Sequence, residues 1–123
     1  MNIESRTLGD VVVFDIVGAY TKETRLIPTL GELIEARLKI GERKIVFNLE
    51  KAEINSDVGV GDILASYVSI ADAGGQLKLV SGSPKTLGLF RACMIDKILE
   101  IHDNVESALE SWDKHGLWPS EPN

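Results

Sequence analysis

The side chains best suited to chemistry in this 123-residue chain lie in one short stretch, Asn55-Ser-Asp-Val-Gly-Val-Gly-Asp62. Its amide, hydroxyl and carboxylate groups follow an apolar run from Ile45 to Leu49, and they precede a segment with apolar residues at helical spacing. The order strand, loop, helix places this polar loop at a helix N-terminus, where unpaired N–H groups and the helix dipole favour capping residues and negative charge. A loop of this kind is a natural place for a switch, but composition and periodicity do not indicate which kind.

Catalytic and nucleotide-binding interpretations of the stretch are poorly supported. Gly59-Val-Gly61 is similar to part of a dinucleotide-binding fingerprint, but Leu64 stands where the third glycine is required, and Asp62 would oppose a bound phosphate. Four carboxylates crowd the segment without a catalytic histidine or nucleophile nearby in sequence: Glu50, Glu53, Asp57 and Asp62. The sequence therefore predicts a protein that is not an enzyme and needs no cofactor.

Composition argues against several other classes of function. The net charge is -6 and the Lys and Arg residues are scattered singly, which does not suit binding to a nucleic-acid backbone. No apolar run approaches the roughly 20 residues that span a bilayer, and the N-terminus lacks the features of a signal peptide, so we expect a cytoplasmic protein without membrane contact. The two histidines, His102 and His115, lack partners at metal-ligand spacing, so no metal site is predicted.

Periodicity predicts the elements that position the loop. Strand-like residues in ranges 3–6 and 11–17, separated by a turn at Leu8-Gly9-Asp10, predict a hairpin whose second strand is apolar on nearly both sides and ends at Gly18. A first helix is predicted from Leu26 or Ile27 to Gly41, with Pro28 in its first turn.

The remaining elements alternate between helix and strand. A second helix begins near Val58, capped by Ser56 or Asp57, and it ends at Gly74. Its predicted apolar stripe is Val60, Leu64, Tyr67, Val68 and Ala71. A strand over 76–80 is followed by a third helix from Pro84, with Leu87, Phe90 and Met94 as its apolar stripe, by a last strand within 97–102, and by a fourth helix capped by Asp103 or Asn104.

The order β-β-α-β-α-β-α-β-α predicts a single α/β domain over residues 1–115, with a mixed, mostly parallel sheet and about four helices, and a C-terminal tail over 116–123. Whether the helices cover one face of the sheet or both is left open. With 44% apolar residues, one core is expected. Its expected members lie on the apolar sides of their elements: Ile27, Leu30, Ile34, Leu38, Val46, Leu49, Leu64, Leu77, Leu79, Phe90, Val105 and Leu109.

This order of elements, together with Val46-Phe-Asn-Leu49 and Ser56-Asp-Val-Gly-Val-Gly-Asp-Ile-Leu64, resembles the STAS domain of bacterial anti-sigma factor antagonists. The resemblance covers nearly the whole chain. It implies a binding module that captures an anti-sigma factor, often itself a serine kinase, and so frees a sigma factor for transcription. Phosphorylation of the second serine of the family's motif releases the captured partner.

The resemblance also implies where the site lies. The partner-binding loop corresponds to Asn55, Ser56, Asp57, Val58, Gly59 and Gly61. Aligned through Gly59 without a gap, Val58 occupies the position of the phosphorylated serine, and valine cannot accept a phosphate. A one-residue insertion in the loop would give that role to Ser56, which makes Ser56 the candidate phosphosite.

Three functions therefore stand beside one another. The preferred one is an anti-sigma factor antagonist that binds an anti-sigma factor, or a related serine kinase or regulator, and regulates sigma-factor-dependent transcription. A second is a STAS scaffold subunit of a signalling assembly, and a third, less favoured, is a small nucleotide-binding α/β domain. Neither the partner nor the stimulus follows from the sequence, and formation of a homodimer is left open.

Overall fold

The computed structural model of the chain describes the backbone of residues 1–116 and the side chains of residues 1–112. The strands are β1 (Asn2–Leu8), β2 (Val11–Tyr20), β3 (Lys44–Ile54), β4 (Gln76–Val80) and β5 (Ile101–His102). The helices are α1 (Leu30–Lys39), α2 (Asp57–Asp72), α3 (Pro84–Ala92) and α4 (Val105–Gly116), with a short 3-10 helix at Ile95–Lys97. Gly116 ends α4, and the rest of the predicted tail lies outside the described residues.

The five strands form one sheet in the order β1-β2-β3-β4-β5. β1 is antiparallel to β2, and all the other neighbours are parallel. This confirms the predicted element order and the predicted mixed, mostly parallel sheet. Because the connections from β2 onward are crossovers, the carboxyl ends of β2, β3 and β4 meet at the same edge of the sheet.

The second strand is longer than predicted. The turn at Gly9 has φ of 65°, as expected for the hairpin, but β2 continues past Gly18 to Tyr20. Gly18 pairs with Ala52 of β3, and its φ of 109° is a conformation that glycine adopts without steric cost. Gly18 therefore does not end the strand as predicted, and it allows β2 to continue to the site.

The first helix begins later than predicted. Thr29 caps α1 in a capping box with Glu32, whose backbone N donates to Thr29 Oγ1 at 3.1 Å while Thr29 N donates to Glu32 Oε1 at 2.8 Å. Pro28 therefore precedes the helix, and Ile27 is 96% exposed instead of buried in the core. The capping box fixes the start more strongly than the apolar spacing that favoured Leu26 or Ile27.

The sheet is covered on both faces, so there are two core clusters and not the single core that was expected. The larger cluster joins β2, β3 and β4 to α1, α2 and α3. The smaller one lies beneath α4 and consists of Val11, Val13, Val46, Val80, Ala108 and Trp112, with Val105 and Leu109 packed against it. Apart from Ile27, the expected core residues belong to one of these clusters, although Leu38, Leu64, Val105 and Leu109 are only partly buried. Interior strands that are apolar on both sides make this division possible.

The α4 face also holds a buried cation. Lys78 of β4 is 4% exposed, and its Nζ lies 4.4 Å from the centroid of the Trp112 ring, a cation–π contact. The same Nζ donates to Ser111 Oγ and lies 3.2 Å from Glu100 Oε1. These contacts fasten α4 to β4, and Asn104 caps α4 by accepting from Ser107 N at 2.8 Å, one of the two caps that were predicted.

The buried stripes of α2 and α3 differ from the predicted ones. In α2 the buried residues are Gly59, Val60, Ile63, Ser66 and Ile70. Val68 is 52% exposed and Ala71 is exposed, although both were placed in the apolar stripe. Beyond α3, Met94 has φ of 62° and is 62% exposed, so it belongs neither to the helix nor to its stripe, while Phe90 is fully buried as predicted. Since α2 has few polar residues, its sequence alone does not define which side faces the sheet.

We expect Ile63→Ala to lower the free energy of unfolding by about 2–5 kcal/mol, because Ile63 is 1% exposed and its truncation leaves a cavity in the larger cluster. Val68→Ala on the same helix should change it by no more than about 0.5 kcal/mol, because that side chain faces solvent. Urea denaturation followed by circular dichroism measures both. Equal losses in the two variants would contradict the orientation of α2.

Candidate functional site

An open groove lies where the carboxyl ends of β2 and β3 meet the start of α3. Its volume is about 790 Å³, and it is lined by Thr21, Lys22, Glu23, Asn55, Ser56, Asp57, Val58 and Lys85. Four of the six residues predicted for the partner-binding loop thus line one groove. The other two do not: Gly59 is buried behind it, and Gly61 is exposed on α2.

Ser56 is the N-cap of α2, which confirms the predicted cap. Its φ and ψ are -150° and 156°, and its Oγ accepts from Gly59 N at 3.4 Å. Asp57 is the first residue of the helix, where a carboxylate interacts favourably with the helix dipole. Val58 follows and is 44% exposed. The hydroxyl of Ser56 and the side chain of Val58 therefore border the same groove, one turn or less from the start of α2.

Hydrogen bonds to neighbouring elements hold the end of β3, from which the loop starts. Ile54 N donates to the buried Thr86 Oγ1 of α3 at 3.2 Å, and Asn55 N donates to Tyr20 O of β2 at 3.4 Å. The backbone of the loop is therefore attached on both sides before it reaches Ser56. This fixes the direction in which α2 leaves the sheet.

The two glycines of the motif have different physical roles. A Cβ on Gly59 would lie 2.9 Å from Ile54 Cγ2 and 3.3 Å from Tyr20 Cδ1, so α2 approaches the ends of β2 and β3 only because this residue lacks a side chain. In a dinucleotide-binding loop, the glycine is needed for approach of the phosphate, whereas Gly59 faces the protein interior. A Cβ on Gly61 would have no heavy atom within 4 Å, so packing within the chain does not require glycine there.

Tyr20 and Asp62 link the end of β2 to the second turn of α2. The Tyr20 ring is 4% exposed, and its hydroxyl donates to Asp62 Oδ2. Burial, together with the hydrogen bond to the Asp62 carboxylate, raises the pKa of Tyr20 well above its usual value of 10.0. Asp62, one of the carboxylates considered for acid–base chemistry, therefore has a structural partner. Nothing in the sequence pairs these two residues, which lie far apart along the chain.

The groove contains two lysines that the sequence did not associate with the loop. Lys22 follows β2 and Lys85 is the second residue of α3, and both are exposed beside the carboxylates of Glu23 and Asp57. The rule that carboxyl ends of parallel strands meet at one edge would have brought the segments after β2, β3 and β4 together. Which side chains of those segments face the groove is decided only by the folded chain.

The solvent-facing side of α2 forms an apolar stripe that starts at the groove. It consists of Val58, Gly61, Ala65 and Val68, spaced three and four residues apart, and all four are exposed. The α2 stripe, as we name these four residues, runs about 15 Å along the helix. A contiguous exposed apolar surface of this kind is typical of a protein interaction site.

The STAS domain model matches residues 2–108, and the chain therefore belongs to the STAS domain family. Solved structures with the same fold include an anti-sigma factor antagonist from Mycobacterium paratuberculosis, with 22% identity, a TM-score of 0.77, and coverage of 89% of this chain and 92% of that one. A candidate anti-sigma factor antagonist from Thermotoga maritima has 24% identity and a TM-score of 0.73, with the same coverages. The phosphorylated form of the Bacillus cell fate determinant SpoIIAA has 17% identity and a TM-score of 0.68, covering 89% of this chain and 98% of that one. No curated protein matches the sequence significantly.

None of the helices within residues 1–116 has the length and apolar character needed to cross a membrane. No group of three or more His, Cys, Asp or Glu side chains among the described residues is arranged to hold a metal ion.

We expect Gly59→Ala and Gly61→Ala to change stability in opposite directions. The first inserts a methyl group against Ile54 and Tyr20 and should lower the free energy of unfolding by about 1–3 kcal/mol. The second replaces an unconstrained helical glycine and should raise it by about 0.5–1 kcal/mol. Chemical denaturation of the two variants and the wild type measures the difference. Destabilisation by Gly61→Ala would show that this position packs within the chain.

We expect Tyr20→Phe to lower the free energy of unfolding by about 1–2 kcal/mol at neutral pH, through loss of the hydrogen bond to Asp62. Because the folded pKa of Tyr20 is raised, its contribution is complete below pH 10.0 and is lost as the pH rises above that value. The difference in stability between wild type and variant should therefore shrink above about pH 10. A difference that stays constant from pH 7 to pH 11 would argue against this hydrogen bond.

Proposed function

We propose that this STAS domain is an anti-sigma factor antagonist, which binds an anti-sigma factor and thereby regulates sigma-factor-dependent transcription. The observation that carries the proposal is the continuity of the groove beside Ser56 with the α2 stripe. Proteins described as anti-sigma factor antagonists share the fold over most of this chain, which supports the same class of partner. In this family the anti-sigma factor is often itself a serine kinase, so the proposed partner includes a related serine kinase.

The surface has the composition of a protein interface. Its centre is apolar, formed by Val58 and Val68, and Gly61 between them leaves room for close approach of a partner's backbone. Its border at the groove is charged, with Lys22, Glu23 and Lys85. Protein interfaces commonly combine an apolar centre with a polar rim in this way. Gly61 costs helix stability and has no packing role in the chain, which is consistent with a role in contact.

The proposed action is contact, not catalysis. The groove is lined by hydroxyl, carboxylate, amide and lysine groups. His and Cys are the titrating residue types that most often act as base or nucleophile at neutral pH, and neither is among its described lining residues. Tyr20 and Asp62 are engaged with each other behind it. The groove therefore has the features of a surface that a partner protein recognises.

We propose Ser56 as the residue through which phosphorylation regulates this contact. A phosphate there adds about -1.5 to -2 charges at neutral pH, next to Asp57 at the start of α2. In the free protein, the helix dipole and the lysines of the groove balance this charge, but a docked partner would have to desolvate it. Val58, at the family's phosphorylated position, has no hydroxyl, so it contributes apolar contact only.

The charge at position 56 can be tested without losing the helix cap. Asp and Asn both cap helices well, so Ser56→Asp adds a negative charge and Ser56→Asn serves as its uncharged match. We expect Ser56→Asp to weaken binding of the anti-sigma factor by about 2 kcal/mol, roughly 30-fold, and Ser56→Asn to change it little. Isothermal titration calorimetry with the purified partner measures both affinities.

The partner can be identified by affinity capture from a cell extract. Immobilised wild-type protein is incubated with extract of the source cells, and bound proteins are identified by mass spectrometry, with Ser56→Asp as the negative control. Recovery of an anti-sigma factor by the wild type alone supports the proposal, and phosphate mapped to Ser56 after incubation with that partner and ATP supports the switch. Capture of subunits of a signalling assembly without any anti-sigma factor would instead favour the scaffold function. Equal affinities of Ser56→Asp and Ser56→Asn would refute the role of charge at the groove.

A further inference from the structure

The outer edge of β1 is the longest strand edge without a partner in the described part of the chain. The strand order places β1 and β5 at the two ends of the sheet, and β1 has seven residues where β5 has two. All residues of β1 except Ile3 are exposed. An uncovered edge of this length presents backbone N–H and C=O groups that can pair with another strand.

The sequence of β1 is complementary to itself. Its pairing with β2 places Asn2, Glu4, Arg6 and Leu8 on the face of the sheet that bears α4. Glu4 and Arg6 are the two charged residues of β1, and they flank Ser5 symmetrically. If two copies of β1 pair antiparallel about Ser5, each Glu4 lies directly opposite the partner's Arg6. Opposite charges at such positions stabilise a strand pair.

Charge also opposes the neighbouring registers. Pairing centred on Glu4 would set Glu4 against the partner's Glu4, and pairing centred on Arg6 would set two arginines against each other, both of which are unfavourable. A register centred between two residues would pair residues that belong to opposite faces. The face that bears α4 in one copy would then continue into the opposite face of its partner. Of these registers, only the one centred on Ser5 meets two conditions. It places Glu4 opposite the partner's Arg6, and it keeps the faces that bear α4 on the same side of the joined sheet.

Arg6 is already positioned for this contact. Its Nε and Nη2 donate to Asp15 at 2.8 and 3.3 Å, and Asp15 also accepts from Asn48 Nδ2 at 2.7 Å. The guanidinium has five N–H donors, so it can bind a second carboxylate without releasing Asp15. Glu4 forms no salt bridge with any residue whose side chain the structure describes. A carboxylate and a held guanidinium therefore stand side by side on an open face.

Apolar side chains adjoin the same edge on the other face. Ile3 borders a depression of about 400 Å³ that also includes Ile27 and Leu33. Ile27 is 96% exposed, and in the register centred on Ser5 the partner's Thr7 lies opposite Ile3. Pairing of the two edges would thus shield apolar surface on one face while it joins charges on the other.

We propose that the protein forms a two-fold symmetric homodimer through antiparallel pairing of β1 with β1 of a second copy, centred on Ser5. The pairing joins the two sheets into one. None of the residues that line the groove beside Ser56 belongs to β1, so both grooves stay accessible in the dimer. The proposal stands independently of the proposed function, because it concerns another surface and needs no partner protein.

The test exchanges the charges of β1 in the full chain. Glu4→Arg gives two positive side chains on this face and Arg6→Glu gives two negative ones, so each variant repels its own copy. We expect each to weaken dimerisation at least about tenfold relative to wild type. An equimolar mixture of the two should dimerise, because every contact across the two-fold axis then joins opposite charges. Sedimentation equilibrium over a range of concentrations measures the dissociation constants, and circular dichroism establishes that each variant is folded.

Two matched variants complete the experiment. Glu110→Arg makes the same charge change on the exposed side of α4 and should dimerise as the wild type does. The combined variant Glu4→Arg with Arg6→Glu restores complementary pairs within one chain and should recover the homodimer, which keeps the test valid if Arg6→Glu alone fails to fold. A wild type that stays monomeric at about 0.5 mM, far above the micromolar range of ordinary specific contacts, overturns the proposal. So does a dimer that single charge reversals leave unchanged, or a combined variant that stays monomeric.

Discussion

The contact of Gly59 with Ile54 and Tyr20 determines where the whole site lies. The absence of a Cβ at Gly59 lets α2 begin directly against the ends of β2 and β3. Tyr20 then holds Asp62 in the next turn of α2, and Thr86 of α3 holds the backbone of Ile54. Because three elements are joined at this point, the cap at Ser56, the groove and the α2 stripe are presented in a fixed arrangement. A binding surface on rigid elements loses little conformational entropy when a partner docks.

This arrangement separates the stability of the fold from the proposed control of binding. Negative charge at a helix N-terminus stabilises the helix, so a phosphate on Ser56 would leave α2 in place. The groove also has Lys22 and Lys85 beside Asp57 and Glu23, which makes the added charge tolerable in water. The same charge becomes unfavourable when a protein surface covers the groove and removes its water. Regulation by charge at this site therefore requires no change of conformation.

The sheet contributes a second constraint through the unequal coverage of its two faces. Three helices cover one face, while α4 packs on β3, β4 and β5 of the other and is held there by Lys78 and Trp112. Glu4 and Arg6 lie on that same face in β1, at the opposite end of the strand order from β5. Among the described residues, the charges of the β1 edge are thus exposed, and none of the residues that line the groove belongs to β1.

The sequence by itself determined the features that depend on neighbours within one or two turns. Strand β4, the cap at Ser56, the start of α3 at Pro84 and the cap at Asn104 follow from local periodicity and capping chemistry, and all were predicted. The order of these elements was sufficient for the α/β class, and together with the motifs at Val46–Leu49 and Ser56–Leu64 it gave the STAS resemblance. The predicted start of α1 was wrong even though its signal is local, because the capping box of Thr29 and Glu32 begins the helix after Pro28.

Only the tertiary structure decided which faces are buried and which residues meet at the site. The sequence of α2 is apolar on most sides, so the burial of Ile63 and the exposure of Val68 depend on how the helix lies against the sheet. The role of Gly59 differs from that of Gly61 because Gly59 packs against Ile54 of β3 and Tyr20 of β2. The groove lysines come from segments after different strands, brought together by parallel pairing. Periodicity reflects the arrangement of residues within one element only. Packing and charge at a site depend on residues that are distant in sequence, and only the folded chain brings those residues together.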